Sequence, residues 1–247
     1  MRDVLGYRAK FGVLAPSTNT IVAPDFYAMA PPGVTNHFSR IYIANQNMRD
    51  NTEAENLLLQ IRASIEQAVR EVKTCEPDYM VMGMSSETFW FGKQGNQDFI
   101  ERIRNWTGLD CATGASATDL ALRLFGAKRI SLVSPYQPVF NERVKIYFEQ
   151  CGYEVVAVDE LKCPNAIAIA HVDEDTLRQA ILRVNLPDVD AIVQVGTNLS
   201  MLQLADEAER WLKKPVIAIN AAIYWQALRA NGVKDKFRGF GTLLREY

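Results

Sequence analysis

At 247 residues, with 48% hydrophobic and 23% charged positions, the chain is long enough for one large or two small domains with an ample core. A formal net charge of -2, with no basic block, argues against nucleic acid or an anionic membrane surface as a partner. No apolar run approaches the ~20 residues that span a bilayer. The start, Met1-Arg2-Asp3-Val4, has no apolar signal segment, so a cytoplasmic protein with no membrane partner is expected. The four cysteines, Cys75, Cys111, Cys151 and Cys163, form no CxxC pair and read as free thiols. His37 and His171 are the only histidines, so a His-rich metal site is excluded on count, and no metal is expected.

The first strand is Phe11-Gly12-Val13-Leu14. It runs into Ala15-Pro16-Ser17-Thr18-Asn19-Thr20, where Pro16 stops the ladder. The Ser, Thr and Asn that follow either cap a helix or hold an anion. After the turn Pro31-Pro32-Gly33, alternation over residues 37–43 predicts a second strand, with His37 as a surface or turn residue. Residues 52–74 place Leu57, Leu58, Ile61, Ile65, Ala68, Val69 and Val72 at helical spacing, with Arg62 and the acids on the solvated face. A strand follows at Tyr79-Met80-Val81-Met82. Next come the aromatics Phe89-Trp90-Phe91, which either wall a pocket or pack in the core. Helices are expected over 96–107 and 116–125, the latter stopped by Gly126.

The second half opens with a strand, Arg129-Ile130-Ser131-Leu132-Val133, ending in Ser134-Pro135-Tyr136. A helix (139–151), a strand (154–158), an irregular Cys163-Pro164-Asn165 stretch and a helix (173–183) come next. His171 and the acids after it read as the start of that last helix. The strand Ala191-Ile192-Val193-Gln194-Val195 then breaks at Gly196-Thr197-Asn198. A helix (201–212), a last strand (215–219) and a helix (221–230) capped by Asn220 complete the chain.

The two halves repeat. Leu14-Ala15-Pro16-Ser17 matches Val133-Ser134-Pro135-Tyr136, and the Gly83 break matches the Gly196 break, each at an offset of about 115 residues. Continuous apolar runs of strand length predict strands buried on both faces of parallel sheets. The expected fold is therefore α/β, with two pseudo-symmetric lobes: residues 1–113 with 220–247, and residues 114–219. The polar breaks lie at strand carboxyl ends, where open α/β sheets bind ligands. Facing each other, the amides of Ser85, Ser86, Thr197 and Asn198, with Asn19 and Tyr136, form a pocket for a small acid. Glu87 is the one ionisable residue inside either break. It reads as a general base if it points inward, and otherwise as a helix-start carboxylate or a salt bridge. No phosphate-loop or dinucleotide glycine pattern is present.

Over nearly its whole length the chain resembles the aspartate/glutamate racemase superfamily, in the branch with maleate cis-trans isomerase and arylmalonate decarboxylase. The resemblance rests on Leu14-Ala15-Pro16-Ser17-Thr18-Asn19-Thr20, Met82-Gly83, Thr107-Gly108-Leu109, Ser134-Pro135-Tyr136, Asn141-Glu142-Arg143 and Lys214-Pro215-Val216. It implies two lobes, each with a four-stranded parallel sheet, no cofactor, and a homodimer or higher homo-oligomer. It also implies that Asn19, Tyr136 and Asn165 hold substrate carboxylates. Family enzymes place cysteines at one or both strand ends, and the matching positions here are Met84 and Gly196. The expectation is a cofactor-independent isomerase or lyase of small carboxylic or dicarboxylic acids that uses non-cysteine groups. Glu87 would be its acid or base, and Ser85, Ser86, Thr197 and Asn198 would stabilise an oxyanion. Two alternatives are a hydrolase with Ser85 or Ser86 as nucleophile, which lacks a visible His base, and a non-catalytic binder of small acids.

Overall fold

A computed structural model describes residues 3–247. Its first strand, β1 (Ala9–Pro16), buries Phe11, Val13, Leu14 and Ala15 completely, as a strand covered on both faces must. It is followed by α1 (Val22–Met29), β2 (Val34–Ile41) and α2 (Asn51–Lys73). The apolar stripe expected on α2 is the face it buries, from Ala54 through Val72. Its first turn is closed by Asp50, whose carboxylate accepts the Glu53 N–H. Then come β3 (Tyr79–Met82), α3 (Ser86–Trp90), α4 (Gly92–Thr107), β4 (Cys111–Ala112) and α5 (Gly114–Phe125). Thr113 and Ser116 form a capping box on α5, and Gly126 ends it with a left-handed φ of 68°.

The second half repeats this plan with β5 (Arg129–Ser134), α6 (Pro138–Gln150), β6 (Glu154–Glu160), a 3-10 turn at Ala168–His171, α7 (Glu174–Val184), β7 (Ala191–Gln194), α8 (Leu202–Leu212) and β8 (Val216–Ala218). α9 (Ile219–Ala230) and α10 (Thr242–Glu246) close the chain. All strands pair in parallel, in the orders β2-β1-β3-β4 and β6-β5-β7-β8. The molecule is thus two α/β lobes, each a four-stranded parallel sheet flanked by helices, with the same topology twice. None of the described helices is long and apolar enough to cross a membrane.

Two local points go beyond or against the sequence reading. α1 is a helix in a stretch to which the sequence pattern assigns no element. Asn220 does not cap α9: the helix begins at Ile219, and the Asn220 side chain reaches Asp25 and the Thr197 carbonyl instead. α5 packs against α9, α3 and α4, and α9 also packs against α1, β3 and β4. Across the seam between the lobes, α3 and α4 pack against α6.

Candidate active site

A cavity of about 70 Å³ opens where the carboxyl ends of both sheets meet. Every wall residue but three follows a strand end. Pro16, Thr18 and Asn19 come from β1, Ile43 and Met48 from β2, and Met84 and Ser86 from β3. Tyr136 follows β5, Ala166 and Ile169 follow β6, and Gly196, Thr197 and Asn198 follow β7. Leu57 and Ile61 of α2 and Phe140 of α6 complete it. One pole is polar and the other apolar, and among the described residues no Asp, Glu, Lys, Arg, His or Cys lines it.

The two glycine breaks touch, and their contacts assemble the polar pole. Gly83 N–H donates to Leu14 O at 2.8 Å, which ties the first break to β1. Thr197 Oγ1 donates across the seam to Gly83 O at 3.0 Å and accepts from Asn19 Nδ2 at 3.1 Å. Gly196 N–H donates to Ser85 Oγ at 3.2 Å, and Ser85 Oγ shares a 2.8 Å hydrogen bond with Tyr136 Oη. Burial pushes the Tyr136 phenol up to about 12, with the Ser85 contact pulling weakly the other way. Tyr136 is therefore a protonated donor at neutral pH. The Gln194 amide braces the second break by donating to Val195 O and Gly196 O.

Gly196 has a left-handed φ of 91°, and a Cβ there would lie 2.5 Å from Pro135 Cγ. Position 196 therefore excludes a side chain on both backbone and steric grounds. At the other break Met84 puts a thioether on the wall.

Some of the expected site residues meet and others do not. Asn19, Ser86, Tyr136, Thr197 and Asn198 line the cavity, and Ser85 lies directly beneath it, fully buried. The side chains of Asn19 and Asn198 are already engaged. Asn19 Oδ1 accepts the Ile21 and Val22 N–H groups, and Asn198 links Thr20 N–H to Ala166 O. Asn165 does not line the cavity: its Oδ1 accepts the Ala168 N–H and closes the 3-10 turn.

Glu87 is likewise turned away. It sits in a separate depression, bonded by Arg62 Nε at 2.7 Å and Arg102 at 3.5 Å. Burial raises its carboxyl above the ordinary range, and the two arginines offset only part of that. It is a salt-bridged carboxylate rather than a base facing the cavity, and Arg62 belongs to this buried pair rather than to a solvated face. Phe89 and Trp90 pack in the core, Phe89 against Tyr147 and Phe148 and Trp90 against Phe140 and Arg143, whereas Phe91 is exposed under Arg62.

Sequence reasoning did not single out Thr18, which lines the same space. Its place in the loop after Pro16, one residue before Asn19, is the signal that could have found it. Among the described residues, the hydroxyls of Thr18 and Ser86 make no hydrogen bond within the chain. The backbone N–H groups of Thr18, Met84, Ser86, Thr197 and Asn198 also have no acceptor there. Free N–H and O–H donors from three loops, with no cation, suit a carboxylate held by neutral groups.

Two parallel α/β lobes of one topology, meeting at their strand carboxyl ends around a single small neutral cavity, define a two-lobed protein of the kind whose related halves enclose one small ligand. The chain belongs to the arylmalonate decarboxylase family, whose model matches residues 12–244. Arylmalonate decarboxylase from Bordetella bronchiseptica is 28% identical over 234 residues, covering 94% of this chain and 97% of its own length. The solved maleate isomerase Iso from Pseudomonas putida S16 superposes with a TM-score of 0.87 at 26% identity, over 96% of this chain and 98% of that one. A Nocardia farcinica maleate cis-trans isomerase, solved as a mutant with a covalently bound succinylcysteine intermediate, also superposes at 0.87, with 21% identity over 97% and 99% of the two chains.

Proposed function

We propose that this chain is a cofactor-independent lyase that decarboxylates a small diacid bearing both carboxyls on one carbon, and that it does so without cysteine. The observation that carries this reading is the neutral donor cluster at the polar pole, set against an apolar wall and next to a protonated phenol. One carboxylate is held by the Thr18 and Ser86 hydroxyls and the free amides of Met84, Ser86, Thr197 and Asn198. The other lies toward Ile43, Met48, Leu57, Ile61 and Ile169. When its C–C bond breaks, CO2 leaves and the electron pair passes through the α-carbon into the retained carboxylate. The charge that develops there meets the pre-set donors. The α-carbon then takes the Tyr136 proton, and the phenolate, held by Ser85 Oγ, regains one from water.

Decarboxylation fits this cavity better than cis-trans isomerisation. Turning a C=C bond through a covalent adduct, as the succinylcysteine of the Nocardia farcinica enzyme exemplifies, needs a nucleophile. No thiol lines this cavity. Cys111 is buried with its thiol pushed far up, and the Cys163 thiol is raised to about 11 by burial. Protonating an enediolate needs only a placed acid, which Tyr136 supplies.

The test is incubation in D2O with substituted malonates, maleate and amino acids, followed by proton NMR. The expected result is loss of one carboxyl from a malonate with one deuteron at the α-carbon, slowed at least about tenfold in Tyr136→Phe. Isomerised maleate would replace the decarboxylase reading with an isomerase. Line broadening of acids without any turnover would replace it with a binder.

A further inference from the structure

One half-buried carboxyl plays no part in that chemistry. Asp25, in the first turn of α1, accepts from Asn220 Nδ2 at 2.7 Å. The same Nδ2 donates to Thr197 O at 3.0 Å. Asn220 is 2% exposed, and its Oδ1 is buried with no partner. An amide so placed has both donors on acceptors and its own acceptor unmatched, so Asp25 and Thr197 together set its orientation. Thr197 is otherwise held only through its hydroxyl, by Gly83 and Asn19. Its carbonyl begins the peptide whose N–H is the free Asn198 amide of the cavity.

We propose that Asp25 is a positioning residue: through Asn220 its carboxylate fixes the Thr197–Asn198 turn and so aims the cavity amides at the substrate's carboxylate. The geometry has a second state built in. A protonated Asp25 can donate to Asn220 Oδ1 after rotation of the amide, which satisfies the orphan oxygen and releases Thr197 O. Burial raises the Asp25 carboxyl to about 6, with the Asn220 donor opposing. The titratable groups on the elements around α1 are Tyr224 and Arg229 on α9, His37 and Arg40 on β2, Lys10 on β1, and Tyr27 on α1 itself. Each bonds elsewhere, and none bonds Asp25. The turn is therefore held above pH about 6 and released below it.

The substrate role rests on the decarboxylase reading, but the coupling does not, so the first measurement needs no substrate. On the full chain, the Thr197 and Asn198 amide and Asn220 side-chain resonances are followed by ¹⁵N NMR from acid to neutral pH. They should share one transition near pH 6 in the wild type, absent in Asp25→Asn. Flat resonances in the wild type, or a transition that persists in Asp25→Asn, would overturn the proposal. In turnover, Asp25→Asn, whose neutral amide can itself donate to Asn220 Oδ1, should lower kcat severalfold at pH 8 and lose the acid limb. Asp25→Ala should lower kcat about tenfold with KM little changed. A wild-type kcat in Asp25→Ala would overturn the positioning role. Absence of turnover in the wild type would sink the decarboxylase reading and leave the resonance titration to decide this one.

Discussion

Gly196 shows how a single backbone angle sets which chemistry the site can host. Its φ of 91° and the 2.5 Å approach of a Cβ to Pro135 Cγ mean that Gly196→Cys would strain the turn and push Pro135 aside. We expect a loss of about 2–4 kcal/mol in urea denaturation, the sum of an unfavourable left-handed residue and local overpacking. Met84→Cys differs, because Met84 is already a cavity wall in an ordinary conformation. Its thiol should alkylate with iodoacetamide and be protected by a bound acid. A fully stable Gly196→Cys would contradict this account of why glycine stands there. Glu87 marks where sequence reading ran out at this scale. It adjoins Ser86 in a string of small polar residues, and adjacency suggested a shared pocket. Consecutive residues on a helix point about 100° apart, so α3 turns Ser86 to the cavity and Glu87 to Arg62.

Two connecting segments at equivalent places in the lobes roof the cavity. The stretch between β2 and α2 meets the stretch between β6 and α7 through an antiparallel bridge, Asn47 to Asn165. Met48 N–H also donates to Pro164 O at 2.8 Å, and Ile167 N–H to Asn45 Oδ1 at 3.4 Å. Nothing in the sequence announces this pairing: both stretches lack any period, and the bonded residues Asn45 and Ile167 are 122 positions apart. By contrast, the α2 stripe was legible because i, i+3 and i+4 spacing is a local signal. The site uses both kinds of element, since Leu57 and Ile61 from the stripe face Ile43 and Met48 from the roof. Ile61 is 4% exposed and belongs to the core as well as the wall. Ile61→Ala should therefore cost about 2–4 kcal/mol of stability and open room at the apolar pole. In an acid panel, preference should move toward bulkier α-substituents. A destabilised variant with unchanged preference would show that Ile61 packs the core without shaping specificity.

At the scale of the whole molecule, the repeat was legible because it recurs in the sequence: proline after the first strand of each half and glycine after the third. Its consequence was not, because the seam is made of side chains far apart in sequence. Asn19 meets Thr197, Thr20 meets Asn198, Ser85 meets Tyr136 and Gly196, and Asn220 meets the Thr197 carbonyl. Nearly all of these bonds are buried or half-buried, so separating the lobes would strand polar groups on both sides at ~1–3 kcal/mol each. Neither lobe is then stable enough to persist alone, and thermal unfolding should be one transition by calorimetry and circular dichroism alike. A ligand seated between the lobes acts on that same transition. An acid at 100 times its Kd adds about 2.7 kcal/mol, which for a chain of this size raises Tm by roughly 5–10 °C. The shift should vanish in a variant such as Thr197→Val, which removes the hydroxyl joining Asn19 to Gly83 across the seam. Two resolved transitions, with the acid moving one of them, would mean that the cavity belongs to one lobe and that the seam is a contact rather than a shared core.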